Sequence, residues 1–148
     1  MIRLAEPKDF LVIVEHSREF WGHTQFKDEP FCEEQCLGFI EAAHNQGLLA
    51  VSDSGGVIAG FIAGISGPLM CNPNVLVGTE LAWWVTPKYR SNHHALRLLT
   101  FIEERAIELG IKYWNMVSMQ SSMPDQVNAM YEKMGYELAE TTYTKRLI

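Results

Sequence analysis

The sequence predicts an α/β fold built on a mixed, mostly antiparallel sheet, and three observations carry that reading. Residues 48–52 and 57–65 are apolar runs joined by Asp53-Ser54-Gly55-Gly56, a turn sequence that makes them an antiparallel hairpin. Residues 79–85 and 113–119 read as strands enclosing 95–109, the clearest helix in the chain. A strand, a helix and a second strand in that order imply one parallel pair inside an otherwise antiparallel sheet.

The remaining elements follow in chain order. Ile2-Arg3-Leu4 is a short strand. Pro7 and Asp9 open a helix with Phe10, Ile13, Val14, Phe20 and Trp21 at helical spacing. Residues 22–30 are polar and broken by Gly22 and Pro30, so they form a loop. A second helix over about 32–45 should turn Cys36, Phe39, Ile40 and Ala43 inward and end at Gly47. Ser66-Gly67-Pro68 and Asn72-Pro73-Asn74 predict a long loop after the hairpin. The strand at 79–85 is apolar on both faces except for Glu80, as a buried central strand would be. In the 95–109 helix Leu98, Ile102, Ala106 and Leu109 form one stripe, with Gly110 beyond its end. Pro124 and Asp125 suit a helix start, and Gly135 stops that helix after Val127, Met130, Tyr131 and Met134. Residues 136–138 and 142–147 read as a final strand pair.

At 148 residues, 47% hydrophobic and 20% charged, residues 1–148 are expected to form one folded domain. No apolar run approaches the roughly 20 residues a membrane span needs, and the N-terminus lacks a signal-peptide core. A cytoplasmic protein with no membrane partner is expected. Three cysteines without a tight pair point to free thiols, and neither they nor the five histidines have metal-ligand spacing. A net charge of −6 disfavours nucleic acid as a partner. From Asp28 to Pro87 there are seven acids and no Lys or Arg. That stretch is either a rim that attracts cations or a solvated acidic face.

Two segments carry the chemistry. Asn128-Ala129-Met130-Tyr131-Glu132-Lys133-Met134-Gly135-Tyr136-Glu137 is an amphipathic helix with a tyrosine, a glycine stop and an extended exit. Trp83-Trp84-Val85-Thr86-Pro87-Lys88-Tyr89-Arg90 is a strand that ends in a turn before the next helix. In this order and spacing the chain resembles GNAT-type N-acetyltransferases, and the element order extends the resemblance over essentially its whole length. The resemblance implies helices on both faces of the sheet. It implies direct transfer of an acetyl group from acetyl-CoA to a primary amine, either a small cationic amine or a peptide lysine or N-terminus. A homodimer stays open. The competing reading is a non-catalytic acyl-CoA-binding or interaction module on the same fold.

The family's pyrophosphate loop corresponds to Arg90-Ser91-Asn92-His93-His94-Ala95. A helix N-terminus after a tight turn offers free N–H groups and a positive dipole end to a phosphate. His93 stands where the family usually has glycine, so a side chain that tolerates the left-handed region replaces one that enters it freely. The resemblance also implies that the backbone of Trp84 and Val85 pairs with the pantetheine arm and that Asn128 hydrogen-bonds it. It makes Tyr131 the general acid for the leaving thiolate; without it, Tyr131 reads as a core aromatic. Glu80 is either the base that deprotonates the amine or a strand-end carboxylate reaching solvent. A bulge on its strand would decide, because one residue of slip turns a side chain to the other face. No cysteine lies in either segment, which argues against a covalent thiol intermediate.

Overall fold

The computed structural model describes residues 1–90 and 93–148. These form two compact units, Met1–Val117 and Ser118–Ile148.

In the first unit, five strands lie in sequence order across one sheet: β1 (Ile2–Leu4), β2 (Leu49–Ser54), β3 (Val57–Leu69), β4 (Asn72–Val85) and β5 (Ile111–Asn115). The first three pairings are antiparallel, and β4–β5 is parallel, as the strand-helix-strand order requires. Helices α1 (Phe10–Trp21, after a 3₁₀ turn at Pro7–Asp9) and α2 (Glu33–Asn45) cover one face. Their Ile13, Val14, Ile40 and Ala43 pack with Leu49, Val51, Phe61, Ala63 and Trp84 from the sheet. Helix α3 (His94–Glu108) covers the other face with Leu98, Leu99 and Ile102, all fully buried. Burial of each such side chain contributes about 1.5–3 kcal/mol.

The N-terminal strand is tied down by charge. Arg3 places its two Nη atoms 2.7 and 3.0 Å from the Asp9 carboxylate and also reaches Asp53. Asp9 accepts the Glu6 N–H as well (2.8 Å), capping the turn before α1. The Arg3 guanidinium therefore holds the Asp9 carboxyl below its ordinary value.

Three expectations are corrected in this unit. The segment read as a long loop is the continuation of a hairpin, because β3 runs on to Leu69 and β4 starts at Asn72. Its Pro and Gly are tolerated there because β2 pairs with β3 only as far as Ala63, and β5 reaches β4 only from Leu76. Pro68 and Pro73 thus lie where one edge of each strand has no ladder to break. On α2 the inward stripe is Cys36, Leu37, Ile40 and Ala43, whereas Phe39 is 51% exposed. The strand at 113–119 shortens to β5, which ends at Asn115.

The second unit contains α4 (Pro124–Lys133). Its C-terminus is closed by Gly135 at φ +87°, with the Gly135 N–H donating to Glu132 O (3.1 Å) and the Tyr136 N–H to Tyr131 O (3.0 Å). Only a residue that enters the left-handed region without cost completes this stop. Residues 136–148 have no regular secondary structure, in place of the final strand pair. Leu138, Tyr143 and Leu147 are more than four-fifths exposed, so the apolar residues of the expected strand pair cover no apolar surface.

Candidate active site

Strand β4 organises the site. Its pairing with β5 runs from Leu76 to Thr79 and stops there, while its pairing with β3 continues to Val85. From Glu80 to Val85, β4 therefore has its ladder on the β3 side alone.

Glu80 stands where β5 departs. The register with β3 slips here, with Ala63 opposite Ala82 and Gly64 opposite Glu80, so Leu81 is the extra residue of a bulge. Ala82 joins the core under α1 and α2, and the slip turns Glu80 to the opposite face. Its side chain is buried (7% exposed) and accepts the Val117 N–H at 3.1 Å. Burial pushes the carboxyl up to about 7, against the opposing pull of that N–H. Glu80 thus exchanges its proton in the neutral range.

The far end of β4 carries a second cluster. Trp84 faces α1, with its ring against Phe20 (6.2 Å) and His23 (5.0 Å) and its indole N–H donating to Glu19 (3.3 Å). The Arg90 guanidinium lies over the same ring at 4.5 Å, and its Nε–H donates to Val85 O at 2.9 Å. Arg90 is thereby held beside the turn that leads into α3. Trp83 points to the other face and is half-buried.

At the start of α3, His93 adopts φ +59° and ψ +9°, the left-handed conformation a glycine would take freely. It is exposed, and its carbonyl accepts the Arg97 N–H at 3.0 Å. The His94 side chain turns inward, and its Nδ1 shares a 2.6 Å hydrogen bond with the fully buried Ser52 on β2. The Tyr89 ring packs edge-on against it at 5.5 Å. Burial holds the imidazole below its ordinary value, which favours its neutral form. What His94 can offer a ligand is its backbone. Ala95 is half-buried in the first turn. The candidate residues Ser91 and Asn92 lie outside the described residues.

On α4, Asn128 is exposed and Tyr131 is buried (8% exposed), with the Tyr131 ring 5.4 Å from that of Tyr136. Two contacts gave no clear signal in the sequence. Ser52 gave no signal, since its partner is 42 residues away. Trp114 was an ordinary strand aromatic, although the glycines at 64 and 78 mark where its ring rests.

A family model for the acetyltransferase (GNAT) family matches residues 6–136. The chain belongs to the GNAT acetyltransferase family. It is an acyltransferase, and its chemistry is acetyl transfer. No curated protein is matched by the chain. Among solved structures it is similar to a ribosomal-protein-alanine N-acetyltransferase from Brucella melitensis biovar Abortus, with TM-score 0.76, 14% identity and 99% of each chain covered. It is also similar to a predicted acetyltransferase with acetyl-CoA from Clostridium acetobutylicum (TM-score 0.73, 19% identity, 99% of this chain and 95% of that one). An aminoglycoside acetyltransferase from an uncultured soil sample gives TM-score 0.74 at 11% identity, covering 100% and 98%. At these identities the likeness is one of fold. No helix among the described residues is long and apolar enough to cross a membrane.

Proposed function

We propose that the protein transfers the acetyl group of acetyl-CoA directly to a cationic primary amine, on a small molecule or at a peptide lysine or N-terminus, with Glu80 as the base. The observation that carries this reading is the position of Glu80: a buried carboxyl, exchanging its proton near neutral pH, where β4 parts from β5. An amine arrives protonated and attacks only when neutral. Glu80 takes one proton from the ammonium, the nitrogen bonds to the acetyl carbon, the carbon–sulfur bond breaks, and the second proton shed by the new amide nitrogen replaces, through solvent, the one given to the thiolate. In this reading the Tyr131 hydroxyl protonates the departing thiolate. The unpaired edge of β4 at Trp84 and Val85 takes the amide-bearing arm of the co-substrate as an added strand. Arg90 and the backbone of 91–95 take its pyrophosphate, and Asn128 holds the arm from α4.

The acceptor's charge is inferred from the acidic stretch. Asp28, Glu29 and Glu34 are exposed around the connection into α2, whereas Glu33 is engaged by Arg18 at 2.8 Å. A negative rim raises the local concentration of cations and loses strength as salt screens it. The test is a thiol-release assay over a panel of amines. Cationic acceptors should give the highest kcat/KM, falling with ionic strength, and Tyr131→Phe should cost roughly 10- to 1000-fold in kcat with acetyl-CoA affinity kept. Calorimetry that finds no binding of acetyl-CoA or CoA at about millimolar concentration, which means a binding free energy weaker than about −4 kcal/mol, would overturn the reading.

A further inference from the structure

We propose that Trp114 is a positioning residue for the reaction, an apolar wall that keeps water from the Glu80 carboxyl and so sets the pH at which it can act as base. This rests on the role given to Glu80 above.

The wall is built from three strands. Gly78 on β4 is the register partner of Trp114 on β5, and Gly64 on β3 is the register partner of Glu80. Partners across a ladder share a face, so Gly64, Gly78, Glu80 and Trp114 all point to the same side of the sheet. The indole crosses both glycines. A Cβ at Gly78 would collide with its Cε3 and Cζ3, and a Cβ at Gly64 would collide with its Cη2. The ring edge thus occupies the place of a side chain at position 64. A side chain there would be the direct cross-strand neighbour of Glu80, with Cβ atoms about 4.5–5.5 Å apart. The indole N–H, 3.0 Å from Met116 Sδ, fixes the ring's orientation. Three residues after Trp114, Val117 supplies the N–H that Glu80 accepts. One short segment therefore brings both the wall and the donor.

No ionised group competes for control of Glu80 among the described residues. Strands β3 and β4 carry no other titratable side chain, and on β5 Lys112 and Tyr113 are exposed. Helix α3 bears His94, Arg97, Glu103, Glu104, Arg105 and Glu108, yet burial and the Val117 N–H account for the carboxyl's behaviour. With charges absent from the balance, the surface that excludes water raises it and the Val117 N–H opposes that rise.

The test follows the Glu80 carboxyl carbon by NMR through a pH titration, its signal assigned by its loss in Glu80→Gln. The wild-type midpoint is expected near 7. Trp114→Phe, which keeps an aromatic ring on the glycines, should stay close to it. Trp114→Ala should lower it by about one unit or more, as water reaches the carboxylate. Trp114→Leu should fall between, and it replaces the alanine variant if that chain does not fold. A midpoint unmoved in whichever of the two folds overturns the proposal. The acid limb of kcat/KM against pH is measured on the same variants. If the carboxyl midpoint falls and the limb moves with it, both roles stand. If the midpoint falls and the limb does not follow, Trp114 shields the carboxyl but has no part in the reaction, and Glu80 loses its role as base.

Discussion

Where β4 runs out at Val85, the residues that follow it are held by named contacts: Arg90 on Val85 O and on the Trp84 ring, and His94 on Ser52. Where β4 leaves β5, at Glu80, the carboxyl accepts one backbone N–H among the described residues and is otherwise governed by its burial. One end of the site is built from directed bonds, and the other from exclusion. Directed bonds fix geometry, as binding an extended polyanion requires. Exclusion fixes a protonation state, as moving a proton at neutral pH requires.

The difference can be tested from both ends. The largest effect is expected at the excluded end. Glu80→Gln should lower kcat/KM roughly 100- to 1000-fold and remove the rise of rate with pH through about 7, in a pH–rate profile against wild type. The same group is linked to stability. Its folded value lies above the ordinary 4.5, so its contribution is fully present below about pH 4.5 and is lost as pH rises through about 7. The span corresponds to roughly 3 kcal/mol, and urea titrations should show it in wild type and not in Glu80→Gln.

At the directed end the effects should be smaller and should fall on structure and binding. Ser52→Ala leaves the buried His94 Nδ1 without its partner, which costs about 1–3 kcal/mol in urea denaturation. Acetyl-CoA affinity should weaken more than turnover. A turnover loss as large as that of Glu80→Gln would erase the distinction between the ends. The smallest change is His93→Gly, which relieves a side chain held at φ +59°. It should raise stability by about 1 kcal/mol and leave acetyl-CoA affinity intact. A clear loss of affinity would show that the imidazole itself touches the ligand.

The sequence revealed elements better than their registers. The α3 stripe, the Gly110 and Gly135 stops and the Asp53–Gly56 turn are local signals, and each is where it was expected. The lone charge in an apolar strand singled out Glu80. Its direction depended on the bulge at Leu81, a property of two strands in register that one strand's residues do not contain. His93 was legible as a residue in a glycine's place. The inward turn of His94 was not, because it depends on which face of β2 Ser52 occupies. The hairpin tip was misread because Pro and Gly break a strand only where a ladder needs their N–H or side chain, and there it does not.

The seat of Trp114 has a consequence for how this chain can diverge. Positions 64, 78 and 114 share one parcel of space, filled now by a single indole and two missing side chains. Enlarging either glycine evicts the ring, and shrinking the ring leaves a void that neither glycine can fill. Each single change is harmful, yet Gly64→Val joined to Trp114→Ala restores volume to the same place. Such pairs should be strongly non-additive in a double-mutant cycle. In homologous chains the three positions should therefore trade size among themselves, drifting together where they cannot drift alone.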